Sequence, residues 1–235
     1  MLLASLELLF EDPATFIRVV PLFLSLALLG LLVGVTVHEF SHAMVASRMG
    51  DGTARRLGRV SLNPLAHLDA TGTLLFLLAG FGWGKPVPVN PYALKNGRRD
   101  MALIAAAGPL ANVALVFLLA LPIRVGILDG DWPLDLTPSV NLGALHFASS
   151  VLGFLIFFNL ALAVFNLIPL FPLDGSKVLL GILPINLARS FARLEPYGPM
   201  LLILVIMIDY LTTGRGILDR VLIPAVNYIG SLAVG

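Results

Sequence analysis

The stretch Thr15 to Met49, TFIRVVPLFLSLALLGLLVGVTVHEFSHAMVASRM, decides how the chain is read. From Thr15 to Val37 it is almost wholly apolar, enough for the roughly 20 residues a spanning helix needs, and it runs straight on into HEFSH. The apolar periodicity and the absence of proline between Gly34 and Met49 allow a helix there. His38 and His42, four residues apart, then point to one face, where a single metal ion can touch both. Glu39 lies about 100° round the same turn, poorly placed to bind that ion but within reach of a water held on it. Two imidazole ligands beside a carboxylate base are the pattern of a zinc-dependent hydrolase. With four His and four Glu in 235 residues, chance produces such a string in only about one composition in a thousand.

Composition sets the class. The chain is 58% hydrophobic and 12% charged, with a mean hydropathy of +0.94, whereas about a quarter of residues are charged in ordinary soluble domains. It therefore reads as an all-α polytopic membrane protein. Absence of cysteine excludes disulfides and thiolate metal sites, so any metal must be held by His, Asp or Glu. A net charge of +1 points to no nucleic-acid partner; the partners expected are the bilayer and whatever substrate the site takes. The opening MLLASLELLFEDPATF lacks the basic region and small-residue cleavage site of a secretory signal, and the mature chain is expected to be complete.

Outward from the first span, residues 1–12 read either as a short amphipathic segment in the membrane interface, ended by Asp12-Pro13, or as a frayed terminus. On the other side, the loop GDGTARRLGRVSLNPLAHLD, with Arg48 just before it and Arg55, Arg56 and Arg59 within it, is placed in the cytoplasm by the positive-inside rule. Residues 70–84 are apolar but too short to span, and Lys85, Lys95, Arg98 and Arg99 return the chain to the basic side, so a re-entrant element is expected. The run KPVPVNP cannot be helical and suits an extended, β-like edge able to pair with another extended chain. Lys85, Val87, Val89 and Asn90 are thus a candidate substrate strand. A second span is expected from Met101 to about Val125, containing GPLAN at 108–112, where small residues permit close helix approach and Gly108 and Asn112 are assigned to packing. The acidic loop with Asp129, Asp131 and Asp135 lies outside, and a third span runs from Leu145 to about Ile168. Asn159 in that span is read as a helix-to-helix hydrogen bond. Residues 198–213 form a last apolar helix, and 217–234 either a tail helix in the interface or a further membrane element. The whole, 1–235, reads as one domain, with a catalytic core of three membrane helices at about 15–185 and C-terminal membrane helices at about 186–235.

A catalytic zinc needs about three protein ligands and one open position. His67, His146, Asp174 and the other carboxylates are the available third. His146 falls at the outer end of a span, opposite the basic side, and reads as an interfacial imidazole. Asp174 follows a helix broken by Pro169 and Pro172, on the same side as HEFSH. A helix N-cap is its other reading, but a cap does not explain why a helix is broken so near the membrane. His67 is equally a neighbour or extra ligand of the metal, filling the open position before substrate arrives, or a loop imidazole partnered with Asp69.

The HEFSH helix, NPLAHLD, GKPVPVNP, GPLAN and NLIPLFPLDG, in that order, resemble the site-2 protease family of intramembrane zinc metalloproteases, in particular compact bacterial and archaeal members without PDZ or CBS domains. The resemblance implies one zinc held by His38, His42 and Asp174, Glu39 as general base, and Asn166 as hydrogen-bond donor to the scissile carbonyl or its oxyanion. It implies cleavage within a transmembrane segment of a single-pass membrane protein or peptide, by a multi-pass cell-membrane enzyme whose active site is nearer the cytoplasm. The rival reading is a non-catalytic zinc-binding scaffold or a metal transporter. A transporter favours ionisable groups along several spans and internal symmetry, neither of which the sequence shows. Oligomeric state is left open.

Overall fold

The structure is a computed structural model that describes residues 2, 5–130, 132, 144–212 and 216–235. The expected outer-loop residues Asp131 and Asp135 lie outside the described residues. Among the described residues ten α-helices follow one another: α1 (Leu6–Glu11), α2 (Pro13–Arg48), α3 (Thr53–Arg56), α4 (Ala70–Ala79), α5 (Arg98–Arg124), α6 (Ala144–Leu167), α7 (Asp174–Ile182), α8 (Ile185–Ala192), α9 (Gly198–Leu211) and α10 (Ile217–Val234). Four helical stretches among these residues are long and apolar enough to cross a membrane: α2, α5, α6 and the run Ile185–Asp209 that takes in α8 and most of α9. The chain is an all-α polytopic membrane protein.

Helix α2 is a single 36-residue rod. Asp12 starts it by accepting the Thr15 N–H at 3.1 Å, and Pro13 sits in the first turn, where its missing N–H costs nothing. The helix continues through Pro21 and carries HEFSH in its last third, as the apolar run predicts. Between lipid-immersed helices there is little hydrophobic driving force, so close packing of small residues and aromatic rings holds them together. Phe154 of α6 is buried against Leu26 and Ala27 of α2, edge-on to Phe23 at 5.4 Å between ring centroids. Helix α10 packs on the core spans. Val226, Ala233 and Val234 join Val116, Ala120, Ile156 and Leu160 of α5 and α6 in one buried cluster.

The short apolar stretch is re-entrant, and the reason is local. Asp69 caps α4 by accepting the Gly72 N–H at 2.8 Å, and Gly80, at φ 83°, ends it in the left-handed conformation that glycine adopts without strain. Ten residues of helix rise only about 15 Å, half a bilayer core. The chain then turns back, so that Leu68 and Gly84 form an isolated antiparallel bridge and the Lys85 N–H donates to His67 O at 2.7 Å. From Lys85 to Asn90 the chain has no helix or sheet partner and crosses beneath the end of α2.

That crossing is pinned by Asp51, which is fully buried. Its carboxylate accepts from Thr53 N at 2.9 Å and Asn90 N at 2.7 Å. Burial pushes the carboxyl pKa up, but the bonds from Thr53 and Asn90 outweigh it and hold the group below the usual carboxylate range. A folded pKa below the unfolded one gives stability that is complete above the unfolded value of about 3.9 and is lost as pH falls through the folded value. Asp51→Ala is expected to cost about 1–3 kcal/mol by removing two part-buried hydrogen bonds to a charged group. Thermal unfolding in detergent should show that loss at pH 7, and the wild-type advantage should shrink below about pH 4. A variant as stable as wild type at pH 7 would refute the pinning.

Candidate metal centre

Three side chains from two distant parts of the chain meet at one point. Helix geometry puts His38 and His42 on the same face of α2, with ring centroids 4.6 Å apart and planes at 85°. Asp174 enters from the first turn of α7. Its Oδ2 lies 3.0 Å from both His38 Nε2 and His42 Nε2, and all three residues are buried. The carboxylate makes no capping bond to α7, so the N-cap reading of Asp174 does not hold. The break that delivers it is the Ile168–Leu173 turn, with a cis Phe171-Pro172 bond.

The outer nitrogens decide what the inner ones can do. His42 Nδ1 lies 2.7 Å from Ile104 O. His38 Nδ1 lies 2.7 Å from Asn112 Oδ1, and that amide is oriented because its Nδ2 donates to Gly34 O at 3.0 Å and Asn159 Oδ1 at 2.7 Å. Both partners of the imidazoles are acceptors, so both Nδ1 atoms carry the proton and both Nε2 atoms present lone pairs. Two nitrogen lone pairs and a carboxylate oxygen on one point suit a cation, and the set His₂Asp suits zinc. Gly108 leaves the room. A Cβ there would collide with His42 Nε2 and would lie 2.6 Å from His42 Cε1 and 2.8 Å from His38 Cε1.

The assignment of GPLAN to packing alone is therefore corrected. Asn112, fully buried, orients the His38 imidazole, and Asn159 holds Asn112 while its own amide donates to Leu155 O. A sequence signal existed, since a buried amide in an apolar helix needs partners, but the partner lies 74 positions away. His67 is not partnered with Asp69. It is outside the metal-binding group found among the described residues. Its Nε2 bonds to Ser61 O at 2.7 Å rather than to Asp69, which is occupied capping α4. His146 is exposed at the start of α6.

A cavity of about 570 Å³ opens from His38, His42 and Asp174. Its walls are chiefly apolar, among them Leu31, Phe81, Trp83, Leu162 and Phe165, and its polar groups include Glu39, Asn166 and Lys177. The Asn166 amide donates to Leu162 O at 2.9 Å and keeps a second N–H to offer. Lys177 stands 3.9 Å from Asp174 Oδ1. Glu39 Oε2 accepts the Val87 N–H at 3.0 Å. Val87 and Val89 line the cavity, while Lys85 and Asn90 anchor the segment on His67 and Asp51. Arg59, buried, donates to Lys85 O. Loss of hydration holds its guanidinium below the ordinary arginine value, against the pull of the Glu39 carboxylate.

Comparison with known proteins agrees with this centre. The model of "Peptidase family M50" matches residues 134–208, the part that contains Asn166 and Asp174. Three relatives bear the name "Putative zinc metalloprotease". YwhC of Bacillus subtilis is 38% identical over 168 residues, covering 72% of this chain and 74% of that protein. Rip2 of Mycolicibacterium smegmatis is 30% identical over 189 residues, covering 78% and 66%. MJ0611 of Methanocaldococcus jannaschii is 31% identical over 146 residues, covering 62% and 64%. No solved structure matches the chain at a significant level.

Groups that orient a ligand imidazole typically contribute 10–100-fold to metal affinity. Asn112→Leu is expected to weaken zinc binding by about that factor, measured by competition with a chelator. Gly108→Ala, which puts a methyl group against both imidazoles, should weaken it at least as much. Unchanged affinity in both variants would remove Asn112 and Gly108 from the centre.

Proposed function

Because the chain belongs to peptidase family M50, the site-2 zinc metalloproteases, we propose that it is an endopeptidase that cuts a transmembrane segment of a single-pass membrane protein or peptide, using one zinc ion per chain. The observation that carries this reading is the convergence of His38, His42 and Asp174 on one point, part-way along a membrane-spanning helix and beside a mainly apolar cavity. His42 lies six residues before the end of α2, or about 9 Å along its axis. The neighbouring ends of α2 and α5 carry Arg48, Arg98 and Arg99, and α3 carries Arg55 and Arg56. By the positive-inside rule these groups put the centre nearer the cytoplasm of a cell membrane. Pro199, Leu202 and Ile203 of the C-terminal helices line the same cavity as the core, which supports reading 1–235 as one domain.

His38, His42 and Asp174 would hold the metal. A zinc ion bound there would supply Lewis-acid polarisation of the scissile carbonyl and a more acidic water. Glu39 then takes a proton from the attacking water and delivers it to the leaving amine, so that one carboxylate serves both halves of the reaction. Asn166 offers its second N–H to the carbonyl oxygen as negative charge develops there. An amide suits this role because it donates without titrating. A peptide bond in a transmembrane helix is shielded by its own hydrogen bonds, so the substrate must unwind before attack. The extended segment Lys85–Asn90 beside the cavity offers backbone acceptors to that unwound stretch. Lys85 and Val87 have already committed their N–H groups, and Pro86 and Pro88 have none. A substrate strand on this part can therefore donate hydrogen bonds but receive none. This narrows the mutual strand pairing expected from sequence.

Replacing Glu39 by Gln should leave zinc bound and lower cleavage of a single-pass test substrate by about 10²–10⁴-fold, with metal content read by elemental analysis of the detergent-purified protein. Asp174→Ala should lose the zinc, and His67→Ala should keep it. Continued cleavage by the Glu39→Gln protein would sink the mechanism. Retention of zinc without Asp174 would sink the ligand set.

A further inference from the structure

Glu39 is held in place by a backbone group that no HExxH pattern contains. Its Oε2 accepts the Val87 N–H at 3.0 Å, across 48 positions of sequence. The placement of that N–H is heavily determined. Lys85 and Val87 each precede a proline, which restricts both to extended conformations, and Pro86 and Pro88 fix their own φ angles. The short rod so formed is anchored on both sides of Val87. Before it, Lys85 donates to His67 O at 2.7 Å and its carbonyl accepts from Arg59. After it, Asn90 donates to Asp51 Oδ2 at 2.7 Å. Prolines on either side leave Val87 with the sole backbone N–H between Lys85 and Val89, and it is directed at the carboxylate beside the metal ligands.

We propose that Val87 is a positioning residue whose N–H orients the Glu39 carboxylate for proton transfer, with Arg59 and Asp51 as the clamps that keep that N–H in place. A glutamate side chain has three rotatable bonds and many accessible rotamers. A hydrogen bond to one oxygen selects among them and leaves Oε1 to take the proton. Misplacement of a reacting group by about 1 Å can cost 10²-fold in rate, so a fixed carboxylate raises turnover with no effect on metal or substrate binding. The inference rests on the reading of Glu39 as base. It also explains why the stretch alternates proline and valine: the prolines stiffen the rod and remove competing donors, and the valine supplies one N–H and one wall of the cavity.

Val87→Pro tests this, since it removes the N–H at a position that already precedes a proline. Val87→Ala keeps the N–H and trims the side chain. With the zinc-loaded full chain in detergent and a single-pass membrane protein as substrate, Val87→Pro is expected to lower kcat by about 10²-fold, with KM and zinc content unchanged. Val87→Ala, which trims a wall of the cavity but keeps the N–H, should lower kcat far less than Val87→Pro. An independent readout is hydrogen exchange of the Val87 amide, followed by NMR on ¹⁵N-valine-labelled protein, which should quicken at least about tenfold in Glu39→Ala as the acceptor is lost. Wild-type kcat in Val87→Pro, equal losses in the proline and alanine variants, or unchanged exchange in Glu39→Ala would each overturn the proposal. Should Val87→Pro fail to fold or to hold zinc, the exchange measurement decides. Cleavage by Glu39→Gln would instead defeat the assignment of the base and leave the Val87 contact standing.

Discussion

Three electron pairs directed at one buried point repel one another unless a positive charge lies between them. That constraint organises the chain. Two of the pairs come from one helix turn, and the third from a residue 132 positions after His42, so the fold must bring α7 back to α2 and hold it there. The polar atoms behind the imidazoles, Ile104 O and the Asn112 amide, keep the lone pairs pointing inward. The amide in turn is tied to α2 through Gly34 O and to α6 through Asn159. Helices α2, α5 and α6 are thus joined at the depth where the metal belongs. In lipid, where apolar packing discriminates poorly between helix registers, such a hydrogen-bonded chain fixes their relative heights.

Much of this could be read from the sequence, for reasons that differ from residue to residue. The pairing of His38 with His42 follows from helical periodicity alone. The three core spans followed from length and hydropathy, and the return of α4 from its insufficient length between two basic flanks. Asp174 emerged from a conflict, a helix broken where breaking is costly. Asn112 did not emerge, because an asparagine in a small-residue motif has two sound explanations and only the three-dimensional partner chooses between them. Gly108 shows that the two explanations overlap: its smallness does permit close approach, but of imidazole rings as much as of backbone. The pairing of His67 with Asp69 failed for the opposite reason. A carboxylate two residues away looked like a sufficient partner, yet Asp69 was already committed to the first turn of α4.

The re-entrant element has an energetic problem that its sequence solves. Irregular backbone packed against the rest of the chain must satisfy its polar groups internally. Here Lys85 N finds His67 O, Lys85 O finds Arg59, Val87 N finds Glu39 and Asn90 N finds Asp51. Two of the intervening residues are prolines, which have no donor to satisfy. The protein meets the requirement partly by making bonds and partly by deleting donors.

Deleting donors also bears on how copies of this protein behave beside one another. A bare extended segment is ordinarily adhesive, because its alternating donors and acceptors match those of an identical segment on a neighbouring molecule. Between Lys85 and Pro88 that match is broken, since every N–H is spent or missing and only carbonyl oxygens remain to be offered. Two such edges brought together present acceptor to acceptor. The stretch from Lys85 to Pro88 is thereby unable to zip onto itself.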